Sequence, residues 1–191
     1  MKGVTLRELV LDSTEDLAKR AGAGALEGFE YQIDVSIWLA LDLILASKLT
    51  DECVLEPISQ EDFEADLHEN EPGRVTTVSQ VGGYRLIVQA KLRRGDAWWT
   101  AGGLRRLLTH GGEARRSAAE LLQEDPSARY LLVTSAGLNG EAAGLRVRRA
   151  GGKWPEPSRI PASLTEALGA SLGGRLAVIA GNTLRPTSGH C

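Results

Sequence analysis

Apolar side chains recur at every fourth position at Phe29, Ile33, Ile37, Leu41 and Leu45. This spacing predicts one long helix from about Gly24 to Ser47 and reads as its core-facing stripe. Three short runs with strand character follow. Cys53 to Ile58 is closed by Pro57 and Ser59, Asp62 to Leu67 alternates charged and apolar positions, and Tyr84 to Leu92 is almost continuously apolar. Between the second and third, Asn70 to Gly83 carries Pro72, Gly73, Gly82 and Gly83 and predicts a hairpin loop, with strand extension at Val75 to Val78. Thr100 to Gln123 is helical in pattern and predicts a break at Gly111-Gly112. Tyr130 to Thr134 predicts a buried strand with neighbours on both sides. Leu164 to Leu172 predicts a helix, and Arg175 to Ala180 a last strand.

Helix, three strands, helix, strand, helix, strand is the order of an α/β domain, a mixed central sheet flanked by helices. The expected division is a polar lead-in over residues 1–23, one domain over 24–181, and a disordered tail over 182–191. A chain of 191 residues suits one such core.

Composition adds little to this picture until charge is followed along the chain. Hydrophobic residues make up 42%, charged residues 25%, and the net charge is −3, so no uniform basic coat is present. Yet Asp51 to Glu71 holds nine acids and no Lys or Arg. Arg85 to Arg116 holds eight basic residues against Asp96 and Glu113. An acidic cluster beside a basic one suits divalent-metal chemistry on a phosphodiester, or else two solvated faces. Two cysteines at unrelated positions and an N-terminus broken by Arg7, Glu8 and Asp12 predict a reduced, cytoplasmic protein. The apolar stretch Ile33 to Ala46 is interrupted by Asp34 and Asp42 and falls short of the ~20 residues that cross a bilayer.

On a strand, Asp62, Glu64 and Asp66 share one face and Phe63, Ala65 and Leu67 the other. On the third strand Gln89 and Lys91 share a face. If the two strands pair, carboxylates meet Gln and Lys, a set able to hold Mg²⁺ or Mn²⁺ beside a phosphate while the lysine orients the attacking water. The alternative is the wet face of an edge strand with an ordinary cross-strand ion pair, worth about 0 to 1 kcal/mol. Gln89 and Lys91 favour a site, because they lie in the apolar run Leu86 to Leu92, where polar groups need partners.

Acid-x-acid, followed by a strand ending Gln-x-Lys, resembles the PD-(D/E)xK nuclease superfamily, with Gln in the (D/E) position. Gly28-Phe29-Glu30-Tyr31-Gln32 before a long helix, followed by Glu56 and Glu61-Asp62, resembles one branch in particular. This is the double-stranded-DNA endonuclease domain of bacterial anti-phage effectors, including cyclic-oligonucleotide-activated ones. The resemblance implies a restriction-endonuclease-like core over about residues 24–180. It makes Asp62 or Glu64 the central metal ligand, with Asp66 competing for that role, Gln89 a second-strand ligand and Lys91 the catalytic lysine. Glu30 or Gln32 and Glu56 would assist. It also implies double-stranded DNA as substrate, cut with little sequence preference, and control by oligomerisation or by a sensor or NTPase partner. Two alternatives are a nuclease-fold subunit that binds DNA or a partner without catalysis, and a restriction- or resolvase-type enzyme.

Arg93, Arg94, Arg105, Arg106, Arg115 and Arg116 are candidate phosphate contacts, or a solvated helix face. Trp98-Trp99 is expected to pack in the core. His68 and His110 lack zinc spacing and are expected at the surface. No phosphate-cradling Gly-x-x-x-x-Gly-Lys loop and no Gly-x-Ser-x-Gly elbow is present.

Overall fold

The computed structural model describes residues 6–55, 62–68, 83–95, 97–111, 116–169 and 172–181, with the backbone alone described for 6–21 and 23. Helix α1 runs over Leu6–Ala40 and continues as a π-helical turn, Leu41–Ala46. It therefore begins well before the expected end of a lead-in at residue 23. The sheet contains β1 (Val54–Leu55), β2 (Phe63–His68), β3 (Gly83–Lys91), β5 (Ala128–Thr134) and β7 (Leu176–Ala180), hydrogen-bonded in that order. The pairs β1/β2 and β2/β3 are antiparallel, which makes the expected meander, while β3, β5 and β7 run parallel. A separate parallel pair joins β4 (Trp98–Trp99) to β6 (Gly137–Leu138). Helices α2 (Ala101–Leu108), α3 (Ala118–Glu124) and α4 (Ala162–Leu168) complete the mixed α/β architecture. The hairpin loop with its Val75 to Val78 extension, Glu56 to Ile58, Arg115 and the tail after Asn182 lie outside the described residues.

Two hydrophobic layers cover the two faces of the sheet. On one, Val35, Leu39 and Leu43 from α1 and its π turn pack with Phe63, Leu86, Val88, Leu131 and Val133. On the other, Leu104, Leu122 and Leu164 from α2, α3 and α4 pack with Ile87, Tyr130 and Leu132. Each fully buried Leu, Val or Phe contributes about 1.5–3 kcal/mol. Burial of β3 and β5 on both faces explains the apolar runs at their centres, Leu86 to Val88 and Tyr130 to Val133.

The helix expected from the fourfold spacing is present, but its expected core stripe faces outward. Phe29, Ile33, Ile37, Leu41 and Leu45 are 43–65% exposed, whereas Val35, Leu39 and Leu43 are at most 1% exposed. The reason is geometric. The two rows lie two positions apart, about 200° around the helix axis at 3.6 residues per turn, so they occupy opposite faces. Periodicity alone gives both rows the same weight.

Helix termini follow local chemistry. The Thr100 hydroxyl accepts from the Gly103 N–H at 3.2 Å, and Ser117 and Glu120 form a reciprocal capping box. The expected break near Gly111 separates α2 from α3. The last helix stops at Leu168, short of Leu172, because Gly169 turns left-handed at φ 60°. No described helix is long and apolar enough to cross a membrane.

Candidate active site at the end of the third strand

The ladder between β2 and β3 pairs Phe63 with Val88, so one step further along puts Asp62 opposite Gln89. The Asp62 N–H donates to the Val88 carbonyl at 3.1 Å. Its side chain then takes over the acceptor role of the ladder: Oδ2 accepts from the Ala90 N–H at 2.6 Å. Oδ1 accepts from Gln32 Nε2 on α1 at 2.9 Å. The carboxylate is thus seated on the backbone of the residue between Gln89 and Lys91, where strand and helix meet.

Gln89 is 5% exposed, and its Oε1 accepts from the Tyr130 hydroxyl on β5 at 2.8 Å. Lys91 ends β3, half-buried, beside Thr134 in the register with β5. Its carbonyl accepts from the buried Thr134 hydroxyl at 2.8 Å, and that same Oγ1 accepts from Trp99 Nε1 at 3.0 Å. Beyond β3, Ser135 Oγ accepts from the Arg93 N–H at 2.8 Å and donates to the Arg93 carbonyl at 2.9 Å. The segment leaving the candidate lysine is therefore pinned by three side chains that sequence reading did not connect to it. Among them, Trp99 packs in the core as expected, while Trp98 is 55% exposed.

Register separates the three carboxylates. Glu64 stands opposite Ile87 and Asp66 opposite Arg85, so only Asp62 lies at the level of Gln89 and Lys91. Its carboxylate turns to Gln32 on the α1 face of the sheet, whereas the Gln89 amide turns to Tyr130 on the other face. Glu64 is held instead by Arg85, whose Nε and Nη2 both reach Oε2, at 3.1 and 2.5 Å. This pairing, helped by Coulomb attraction, raises the Arg85 pKa further against the lowering effect of its partial burial. Glu64 Oε1 is buried and has no partner. Asp66 is exposed, as is Glu30; the residue of α1 that reaches Asp62 is Gln32, not Glu30. Glu56 lies outside the described residues.

The arginines also divide. Arg93 stacks its guanidinium on the Trp99 ring, 3.5 Å from the centroid. Burial, with Arg106 nearby, lowers its pKa. Arg94 is ion-paired with Glu27 of α1. Arg116 is paired with Glu124 at 2.5 Å, and Arg105 and Arg106 project exposed from α2. Arg115 is not among the described residues. His68 and His110 are exposed, as expected.

As donors for a cation, the Asp62 carboxylate and the Gln89 amide oxygen do not form one set, because they turn to opposite faces of the sheet. Among the described residues no cluster of three His, Cys, Asp or Glu is present. The Asp62 carboxylate by itself suits at most a hard ion that keeps most of its waters, as Mg²⁺ does, and not a closed protein cage. A cleft of about 330 Å³ opens beside Asp62, lined by Phe29, Gln32, Ile33, Ser36, Ile37 and Leu55. Comparison with known proteins adds no relative: no family model, curated protein or solved structure matches the chain.

Proposed function

We propose that this chain is a restriction-endonuclease-like, metal-dependent endonuclease domain acting on double-stranded DNA with little sequence preference. The observation that carries the reading is the seat of the Asp62 carboxylate on the Ala90 N–H, between Gln89 and Lys91. A phosphodiester cutter needs a carboxylate and an ammonium on neighbouring strand ends, and Asp62 and Lys91, both half-buried, stand at those ends.

In this reading Asp62 would hold the ion, and Gln89, engaged by Tyr130 on the other face of the sheet, supports the strand from behind. Bound Mg²⁺ or Mn²⁺ supplies Lewis acidity to the phosphate. Lys91 orients the attacking water and offsets charge growing on the phosphoryl oxygens. Gln32 fixes the rotamer of Asp62, and Tyr130 fixes that of Gln89. The exposed Arg105 and Arg106 supply sequence-independent phosphate contacts. The resemblance to anti-phage effector nucleases supports a defence role in a bacterial cytoplasm, with activity released by self-association or by a sensor or NTPase partner.

A second reading, a nuclease-like subunit that binds DNA or a partner without cutting, draws support from one feature. Gln89 Oε1 is already engaged by a buried tyrosine hydroxyl, which also suits a purely structural pair.

The test is cleavage of plasmid and linear duplex DNA with Mg²⁺ or Mn²⁺ at low salt, by wild type and by Lys91→Ala. Cleavage lost in Lys91→Ala supports the nuclease. DNA binding without cleavage, in both proteins and at high protein concentration, supports the second reading.

A further inference from the structure

Leu26, Phe29, Ile33, Ile37, Leu41 and Leu45 form a continuous apolar row on the side of α1 turned away from the sheet, each between 43% and 65% exposed. The row extends about 28 Å at 1.5 Å per residue. It is continued by Leu55 of the edge strand β1, 58% exposed, because Leu55 and Ile37 line the same cleft. Seven side chains of this size, each about half exposed, present on the order of 700 Å² of apolar surface. That is close to one partner's share of a standard interface, about 800 Å². Monomeric proteins rarely show a contiguous patch beyond about 300–600 Å².

We infer that this face of α1, with β1 at its edge, is the surface through which two copies of the chain pair. A second copy is the occupant that the surface itself describes. A twofold interface needs one self-complementary patch, and a row of similar aliphatic side chains packs on its own image. Interfaces between identical chains are also the more apolar kind, and two such patches bury about 1,400 Å² in total, within the standard range. The exposed acids beside the row, Glu30 and Asp34, would face their own copies at the rim. Pairing therefore strengthens as salt screens that repulsion, the opposite of the salt response to a basic partner. The row also forms one wall of the cleft at Asp62, so the second copy lies against that cleft. None of this depends on the nuclease reading.

The experiment is sedimentation velocity of the full chain over a concentration series at low and high salt. It compares wild type with Ile37→Glu/Leu41→Glu and with Trp98→Ser, an exposed apolar site away from the row. Wild type and Trp98→Ser are expected at twice the 20.5 kDa chain mass. The double variant, shown folded by circular dichroism, should dissociate with a Kd weakened by at least about 100-fold. Should it not fold, Ile37→Gln takes its place, with thiol cross-linking of Ile37→Cys as a second readout. A wild type that stays monomeric throughout, or a dimer that the row variants leave intact, overturns the inference. The monomer would point instead to cover from elsewhere in this chain or from a different protein.

Discussion

The Asp62 carboxylate and the Ala90 N–H, 2.6 Å apart, join β2 to β3 by a side chain at the point where the main-chain ladder stops. A carboxylate in that role is both a structural acceptor and a negative charge held at the strand end. The two functions separate by substitution. Asp62→Asn keeps an acceptor for Ala90, and Gln32 can turn its amide to match the new NH₂, so stability should change by no more than about 1 kcal/mol. Cleavage should fall by at least about 100-fold, since the charge that would hold the cation is gone. A thermal melt paired with the plasmid assay checks both. Near-normal cleavage by a folded Asp62→Asn would remove Asp62 from the site.

Tyr130 and Gln89 form the buried polar pair behind the site. Tyr130→Phe leaves Gln89 Oε1 without its donor in a setting 5% exposed. Stranding a buried acceptor costs about 1–3 kcal/mol. Replacing both groups, in Tyr130→Phe/Gln89→Leu, removes the stranded atom. The double variant should then be more stable than the sum of the two single changes implies. A double-mutant cycle by urea denaturation measures the coupling, and additivity within error would mean the bond contributes nothing.

Glu64 and Arg85 form a cross-strand ion pair between β2 and β3. Arg85→Met removes the partner of a carboxylate that is 8% exposed, one of whose oxygens is already unsatisfied. Because Arg85 is itself 39% exposed, the pair is only partly desolvated. The expected loss is about 1–3 kcal/mol, below the range for a fully buried pair. Glu64→Gln should be milder, and on the site geometry neither should abolish cleavage, because register keeps Glu64 away from Gln89. Abolished cleavage in folded Glu64→Gln would restore Glu64 as a candidate ligand.

Element types were largely legible in the residues, because period 2 and period 3.6 patterns are local. β2, β3, β5 and β7 lie within a residue or two of where alternation and apolar runs put them, and the meander followed from their spacing. What was not legible required knowledge of register or of which face packs. Asp62, Glu64 and Asp66 are equivalent by alternation, and only the pairing of Phe63 with Val88 singles out Asp62. The rows of Ile37 and Val35 are equivalent by periodicity, and only the position of the sheet decides which is buried. Tyr130 was within reach, since a tyrosine and a glutamine in neighbouring buried strands each need a partner. Ser135 and Thr134 were not, as their bonds to the segment after β3 span more than forty residues.

Asp125 gives a prediction in pH. The turn after α3 is closed by its carboxylate, which accepts from the Ser127 hydroxyl and N–H at 2.6 and 2.8 Å. The hydroxyl bond, the backbone bond and the nearby Arg85 hold its pKa below the usual carboxylate value, against a modest raising effect of burial. A depressed folded-state pKa means that the unfolded chain binds the proton more readily. The stabilisation is therefore complete above the unfolded value of about 3.9 and is lost as pH falls through the lower folded value. Asp125→Ala should lose about 1 kcal/mol at neutral pH, the usual worth of such a turn or cap bond. The gap between wild type and variant should close as pH is lowered below the ordinary carboxylate range. Denaturation curves at neutral pH and at a series of acidic values test this directly. A gap that stays constant with pH would assign the loss to the backbone turn and not to the charged form of Asp125.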